Sequence, residues 1–162
     1  MNNVEENGFY MIDDSFFLRF NDPYLKGNKS ESRPHYCVIK DESTNLLWVI
    51  PMSSKIEKYQ KIITGRLKNN KRCDFLHICK LDDDRKSVFL IQDMFPITEN
   101  YIKREYCIGS NPMKLTREKE IRVIHNKSKR VISLLRRNFK FTPTQPDIIK
   151  IENELLKDIN MN

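Results

Sequence analysis

The sequence predicts an α+β fold, a small and strongly bent antiparallel sheet, drawn partway toward a barrel, with helices packed around it. Three observations carry this. Short β-rich runs come in pairs joined by turn formers, a capped amphipathic helix follows directly on a strand, and two more helical patterns fill the C-terminal third. At 162 residues, one domain over 1–162 is expected, because a chain of this length can bury roughly 68–70% of its unfolded surface.

Phe9 to Ile12 reads as a short apolar strand, and Asp13 or Asp14 caps a short helix through Phe20 by accepting free first-turn amides. Asn21 to Ser32 is a loop rich in turn formers, and Pro34 biases Arg33 toward extended geometry. His35 to Lys40 and Leu46 to Pro51 form a hairpin whose strands are apolar on both faces, so this part of the sheet should be covered. Ser54-Lys55-Ile56-Glu57 is a capping box opening a helix that stops near Gly65. Asp74 to Leu81 and Ser87 to Ile91 make a second hairpin around the acidic turn Asp82 to Arg85, and Phe95 to Ile97 continues extended. Thr98 to Tyr106 is expected as a short helix and Ile108 to Leu115 as a loop or edge strand. Thr116 caps the longest helix, with Ile121, Ile124, Ser128, Val131, Ile132 and Leu135 on one face. A stiff Thr-Pro-Thr-Gln-Pro turn precedes a last helix over 147–159.

Composition removes several function classes. The longest apolar run, Leu46 to Met52, is far too short to cross a bilayer, and the acidic start does not read as a secretory signal, so a cytoplasmic protein that does not engage membranes is expected. Cys37, Cys73, Cys79 and Cys107 form no Cys-x-x-Cys pair and should be reduced, mostly buried thiols. There is no phosphate-binding Gly-rich loop, and His35, His77 and His125 lack metal-ligand spacing, so no cofactor and no metal is expected.

Charge is the positive signal. Of a net +7, residues 55–80 hold +6 and residues 114–140 hold +8, leaving −7 elsewhere. Segregation of this kind makes a face that attracts polyanions, although a charge run is also what the wet side of any amphipathic helix looks like. The hairpin brings Lys29, Arg33 and His35 toward Ser53, Ser54 and Lys55, where a strand hands over to a helix N-terminus that favours an anion. Ser54 also has a plain capping role there. Cutting RNA without a metal needs a base for the 2′-hydroxyl, cations for the developing phosphorane and an acid for the leaving 5′-oxygen, and these side chains can supply all three. Two other readings use the same residues: a non-catalytic RNA-binding regulator, in which the pocket only seats phosphate, and a protein-interaction domain whose basic faces are dispensable.

Phe9-Tyr10-x-Ile12, Asn21-Asp22-Pro23-Tyr24-Leu25-Lys26-Gly27-Asn28-Lys29, Arg33-Pro34-His35-Tyr36, Pro51-Met52-Ser53-Ser54, Phe95-Pro96-Ile97 and Thr142-Pro143-Thr144-Gln145-Pro146 form an ordered set along the chain. As a set it resembles the CptN toxins of the ToxN/AbiQ superfamily, from type III toxin–antitoxin systems. The resemblance implies an endoribonuclease acting in phage abortive infection on cellular RNA substrates. It further implies an RNA antitoxin cut from a repeated precursor and bound as a pseudoknot in a toxin–RNA oligomer, and an SH3-like barrel of the Kid/MazF kind. ToxN uses a Lys at the strand entry and a Thr-Ser pair after Pro-Leu, which fall on Arg33, Ser53 and Ser54 here. Because Arg33 stays charged, Lys29 and His35 are expected to move protons, Arg33 and Lys55 to hold phosphate, and Ser53 to orient the scissile group. Lys55, Lys58, Arg117, Arg122, Lys129, Arg130, Arg136, Arg137, Thr144 and Gln145 are the expected RNA contacts.

Overall fold

The computed structural model describes residues 3–30 and 32–161; Met1, Asn2, Glu31 and Asn162, which include the very start of the chain and one residue of the 21–32 loop, lie outside it. Strand β1 (Phe9–Ile12) leads into α1 (Asp14–Arg19), capped by Asp13, whose carboxylate accepts from the Ser15 N–H. Strands β2 (His35–Asp41) and β3 (Leu46–Ser53) form the central hairpin, with His35 opposite Pro51 and Asp41 opposite Leu46. Seven of the eight β3 residues are buried, as the two-sided apolar pattern requires of a covered strand.

Helix α2 (Ile56–Lys68) follows at once, then β4 (His77–Lys80), β5 (Lys86–Phe89), β6 (Phe95–Ile97) and β7 (Ile102–Glu105). A small two-stranded ribbon pairs β8 (Cys107–Ile108) with β9 (Asn111–Pro112), turning through Gly109, whose positive φ suits a residue without a side chain. Helices α3 (Glu118–Arg136) and α4 (Ile148–Asn160) complete the chain.

The main sheet runs β4-β5-β3-β2-β1-β7, antiparallel throughout, with β6 also pairing to β3. Among the described residues β4 and β7 do not pair, so the sheet is bent but open and not a closed barrel. Its long strand β3 changes partners: β2 and β6 flank its first part, and β5 takes its last two residues. That switch leaves the end of β3 at a junction of two hairpins. α3 packs against β2 and α4 against β6, and the two helices meet, burying Ile124, Val131, Leu135, Ile151 and Leu155. α2 covers β5 with Tyr59 against Leu76, Val88 and Leu90. Truncating a core ring such as Phe89 to Ala costs about 3–5 kcal/mol.

Four local expectations give way. Ser54 is not the cap of α2: Lys55 holds that place, and the Ser53 hydroxyl accepts from the Lys55 N–H at 3.2 Å instead. α2 runs past Gly65 to Lys68, because a glycine costs only ~1 kcal/mol in a helix and Ile63 and Tyr59 remain packed. The expected 98–106 helix is a single 3-10 turn, Glu99–Tyr101, followed by β7, since pairing with β1 outweighs weak helical propensity. Thr116 bonds the Asp82 carboxylate rather than capping α3, which starts two residues later.

Candidate active site

The junction at the end of β3 opens a cavity of about 350 Å³. Lys29, Ser32 and Arg33 line it from the loop before β2, Ser53 and Ser54 from the end of β3, and Arg85, Lys86 and Ser87 from the start of β5, with Phe9, Met52 and Tyr106 also on its wall. Four of the five residues read from sequence as catalytic therefore share one space. None of the described lining residues is acidic, so four cations face it without a carboxylate among them. Phosphate is the ligand such a cavity fits.

Local structure fixes these groups. Buried Asn28 donates to the Ile12 carbonyl and to Asp14, anchoring the loop on β1 and α1. The following turn is closed by the Ser32 hydroxyl and N–H, both donating to the Lys29 carbonyl, and by the Arg33 N–H donating to the Asn28 carbonyl. Lys29 and Ser30 adopt φ of 51° and 55° in succession, a left-handed geometry that ordinary residues avoid. Strain of order 1 kcal/mol per residue is thereby held at the cavity edge. The Met52 N–H donates to the Pro34 carbonyl, and the Ser87 hydroxyl to the Ser53 carbonyl, so both hairpins clamp the serine. Arg85 is steered by Asp83 and contacts Tyr106.

His35 is not part of this cavity. Strand alternation turns its side chain inward, where it is fully buried with its ring 5.5 Å from that of Phe95 and edge-on to it. Burial pushes its pKa down to about 3, against the smaller opposing effect of backbone hydrogen bonding to Lys26 and Arg33. A neutral, enclosed imidazole cannot reach a substrate proton. Lys55 lies outside the lining residues, one step beyond Ser54 and exposed.

The sequence reading missed Arg85, Lys86, Ser87 and Tyr106. Arg85 and Lys86 follow directly on the acidic turn 82–84 and read locally as hairpin-turn residues, and Tyr106 falls in the segment expected as a helix. The long-range pairing of β5 with the end of β3 has no local signature.

The expected RNA contacts divide. Lys58, Arg117, Arg122, Lys129, Arg130, Arg136, Arg137 and Thr144 are exposed. Arg117 pairs with Asp84, Arg130 with Asp74, and Arg136 with Glu152 while lying 5.5 Å over the Trp48 ring. Arg122 and Lys129 have no ion-pair partner among the described residues. Gln145 is a correction: it is buried, donates to the Gln92 carbonyl at 2.8 Å and accepts from the Phe141 N–H, so it ties the C-terminal turn to the core and is closed to RNA.

A second polar cluster joins β4 to α3. His77 Nε2 lies 2.5 Å from Glu120, with Cys79 beside them, and the three could in principle share a metal. The opposite nitrogen argues otherwise. Lys127, held by the Leu76 carbonyl at 2.9 Å, points its ammonium at His77 Nδ1 at 3.2 Å, where a metal-bound imidazole needs an acceptor for its own N–H. The arrangement is a hydrogen-bonded chain from Lys127 through His77 to Glu120.

No family model and no curated protein matches the chain. Solved structures do. A lactococcal anti-phage endoribonuclease of a type III toxin–antitoxin system, AbiQ, superposes with a TM-score of 0.70 over 96% of this chain and 99% of its own, at 12% identity. The chain has the AbiQ fold. A component of a bacterial antiviral system regulated by a processed non-coding RNA superposes with a TM-score of 0.59 over 91% of this chain and 96% of its own, at 14% identity. The AbiQ-like fold thus meets the resemblance carried by the motifs, through coordinates that share little sequence. No helix among the described residues is long and apolar enough to cross a membrane.

Proposed function

We propose that the chain is the endoribonuclease toxin of a type III toxin–antitoxin system, cutting RNA without a metal at the cavity that ends β3. The observation that carries this is the convergence of Lys29, Arg33, Ser53, Ser54, Arg85 and Lys86 on one space free of described carboxylates, within an AbiQ-like fold. The ribose 2′-oxygen attacks the adjacent phosphorus, and the bond from phosphorus to the 5′-oxygen breaks, leaving a 2′,3′-cyclic phosphate and a 5′-hydroxyl. One group removes the 2′-hydroxyl proton and another protonates the leaving 5′-oxygen; with His35 enclosed, these transfers fall to Lys29 and Tyr106, with Lys86 as a further proton carrier in the same space. Arg33, Arg85 and Lys86 neutralise the phosphorane, and Ser53, fixed by its bond to the Lys55 N–H, orients it.

The same reading assigns the open, bent sheet to the SH3-like Kid/MazF group. It makes the exposed charges of α2 and α3 the seat of a pseudoknot RNA antitoxin, which the toxin cuts from a repeated precursor and with which it forms a toxin–RNA oligomer in the cytoplasm.

The test is incubation with end-labelled RNA in EDTA. Cleavage with cyclic phosphate and 5′-hydroxyl ends, blocked by a 2′-O-methyl group at the cut nucleotide, is expected. Intact RNA that is nonetheless bound tightly would leave a non-catalytic RNA-binding regulator.

A further inference from the structure

A second cleft, sharing no lining residue with the cavity, lies between the 23–26 loop, α2 and the C-terminal turn before α4, with a volume of about 630 Å³. That is within the ~300–1,000 Å³ of small-molecule sites. Its most enclosed charged group is Asp93, 4% exposed, whose Oδ2 accepts no hydrogen bond from any described residue. A buried carboxylate oxygen left without a donor is costly, and a ligand that brings donors relieves the cost. Lys26, Arg33 and Lys58 act on this carboxylate as cations, opposing the upward pKa shift that burial causes. At the mouth Tyr24 is 45% exposed, and Phe141 presents a ring that packs on Phe75 at 5.8 Å and on Phe139 at 4.9 Å. The cleft therefore offers an acceptor inside, aromatic faces along the wall and lysines at the rim.

We infer that this cleft receives one unpaired guanine base of a bound RNA, its Watson–Crick edge donating to Asp93 and its phosphates meeting Lys26 and Lys58. The inference rests on the chain being an RNA-binding protein as proposed above. An ionised carboxylate only accepts. Guanine alone presents two adjacent donors, N1–H and the N2 amine; adenine and cytosine set a ring acceptor beside their amine, and uracil flanks its single N–H with carbonyls. Single-stranded RNA is read in just this manner, by stacking on aromatic rings and bonding at exposed base edges.

The probe is a pentamer of uridines carrying guanosine, inosine or adenosine at its centre, with every 2′-oxygen methylated so that cleavage is impossible. Affinity and backbone amide shifts of the labelled protein are followed. The guanosine pentamer is expected to bind about tenfold or more tighter than the adenosine one, with inosine, lacking the N2 amine, between them. Shifts should centre on Tyr24, Lys26, Asp93 and Phe141. Asp93→Asn should erase the preference for guanosine over adenosine. If that variant fails to fold, the wild-type comparison of guanosine with inosine still decides. Equal affinities, or shifts centred on Lys29 and Ser53, would overturn the inference. So would free 5′-GMP binding tighter than the guanosine pentamer, which would assign the cleft to a free nucleotide. Because these oligomers cannot be cut, cleavage of ordinary RNA without a guanine preference here removes the inference alone, and intact ordinary RNA removes the nuclease reading alone.

Discussion

Two polar regions of this chain sit within a few residues of each other on the β4–β5 hairpin and are built on opposite rules. In the seam between β4 and α3 the polar groups bond to one another: Lys127 meets His77, and His77 meets Glu120. In the cavity at the end of β3, Lys29, Arg33 and Lys86 face a shared space with no described carboxylate. Charges that satisfy one another hold structure together, whereas like charges left facing a void cost stability and are kept for a ligand that neutralises them. The lesson is that the count of polar groups says little; the sign and pairing of their neighbours separate a strut from a site.

The contrast can be broken from either side. Lys29→Ala and Arg33→Ala should each lower the rate of RNA cleavage by about 10²–10³-fold, as loss of one group stabilising a phosphorane does, with the melting temperature little changed. Gel-based single-turnover rates beside thermal melts check this; full activity in both variants moves the chemistry elsewhere.

His35 sharpens the comparison through pH. Unfolded, it takes up a proton near pH 6.5; folded, only near 3, so between those values unfolding binds a proton and stability falls as the pH falls. The slope from this group alone is roughly 1.4 kcal/mol per pH unit. Urea denaturation at pH 7 and pH 5 should show the loss, and His35→Gln should flatten it.

Glu120→Ala, in the paired seam, should cost about 1–3 kcal/mol of stability by stranding the His77 N–H, yet leave the cleavage rate of the folded protein unaltered. A lost rate with stability intact would make the seam part of the site. The smallest effect is expected from Arg122→Glu with Lys129→Glu on α3. These two unpaired cations should weaken RNA binding and reduce the steepness of its salt dependence, each phosphate contact removed lowering the slope by ~0.9 or less.

Much of the fold was legible. β1, α1 and the β2–β3 hairpin follow from local patterns, because caps, turn residues and β-branched runs act over a few positions. The grouping of Lys29, Arg33, Ser53 and Ser54 was legible for the same reason, since one hairpin places them together. The other half of the cavity wall was not, because Arg85, Lys86 and Tyr106 arrive by pairings across more than thirty residues that leave no mark on the sequence nearby. His35 was placed by its nearness along the hairpin to Ser53, which fixes where the backbone lies but not which face the side chain takes; on a strand successive side chains alternate, and this one turns inward. Gln145 looked like a surface glutamine in a polar turn, and only the tertiary bond to Gln92 reveals its buried role.

The position of the scissile phosphate decides whether the cavity at the end of β3 is the site of cleavage. A crystal structure of the protein with RNA methylated at the 2′-oxygen of the cut nucleotide measures it directly. The expected result is a phosphate within about 3 Å of the Lys29, Arg33 and Ser53 polar atoms, with its neighbouring ribose facing Tyr106. A scissile phosphate bound anywhere other than the cavity at the end of β3 would contradict it.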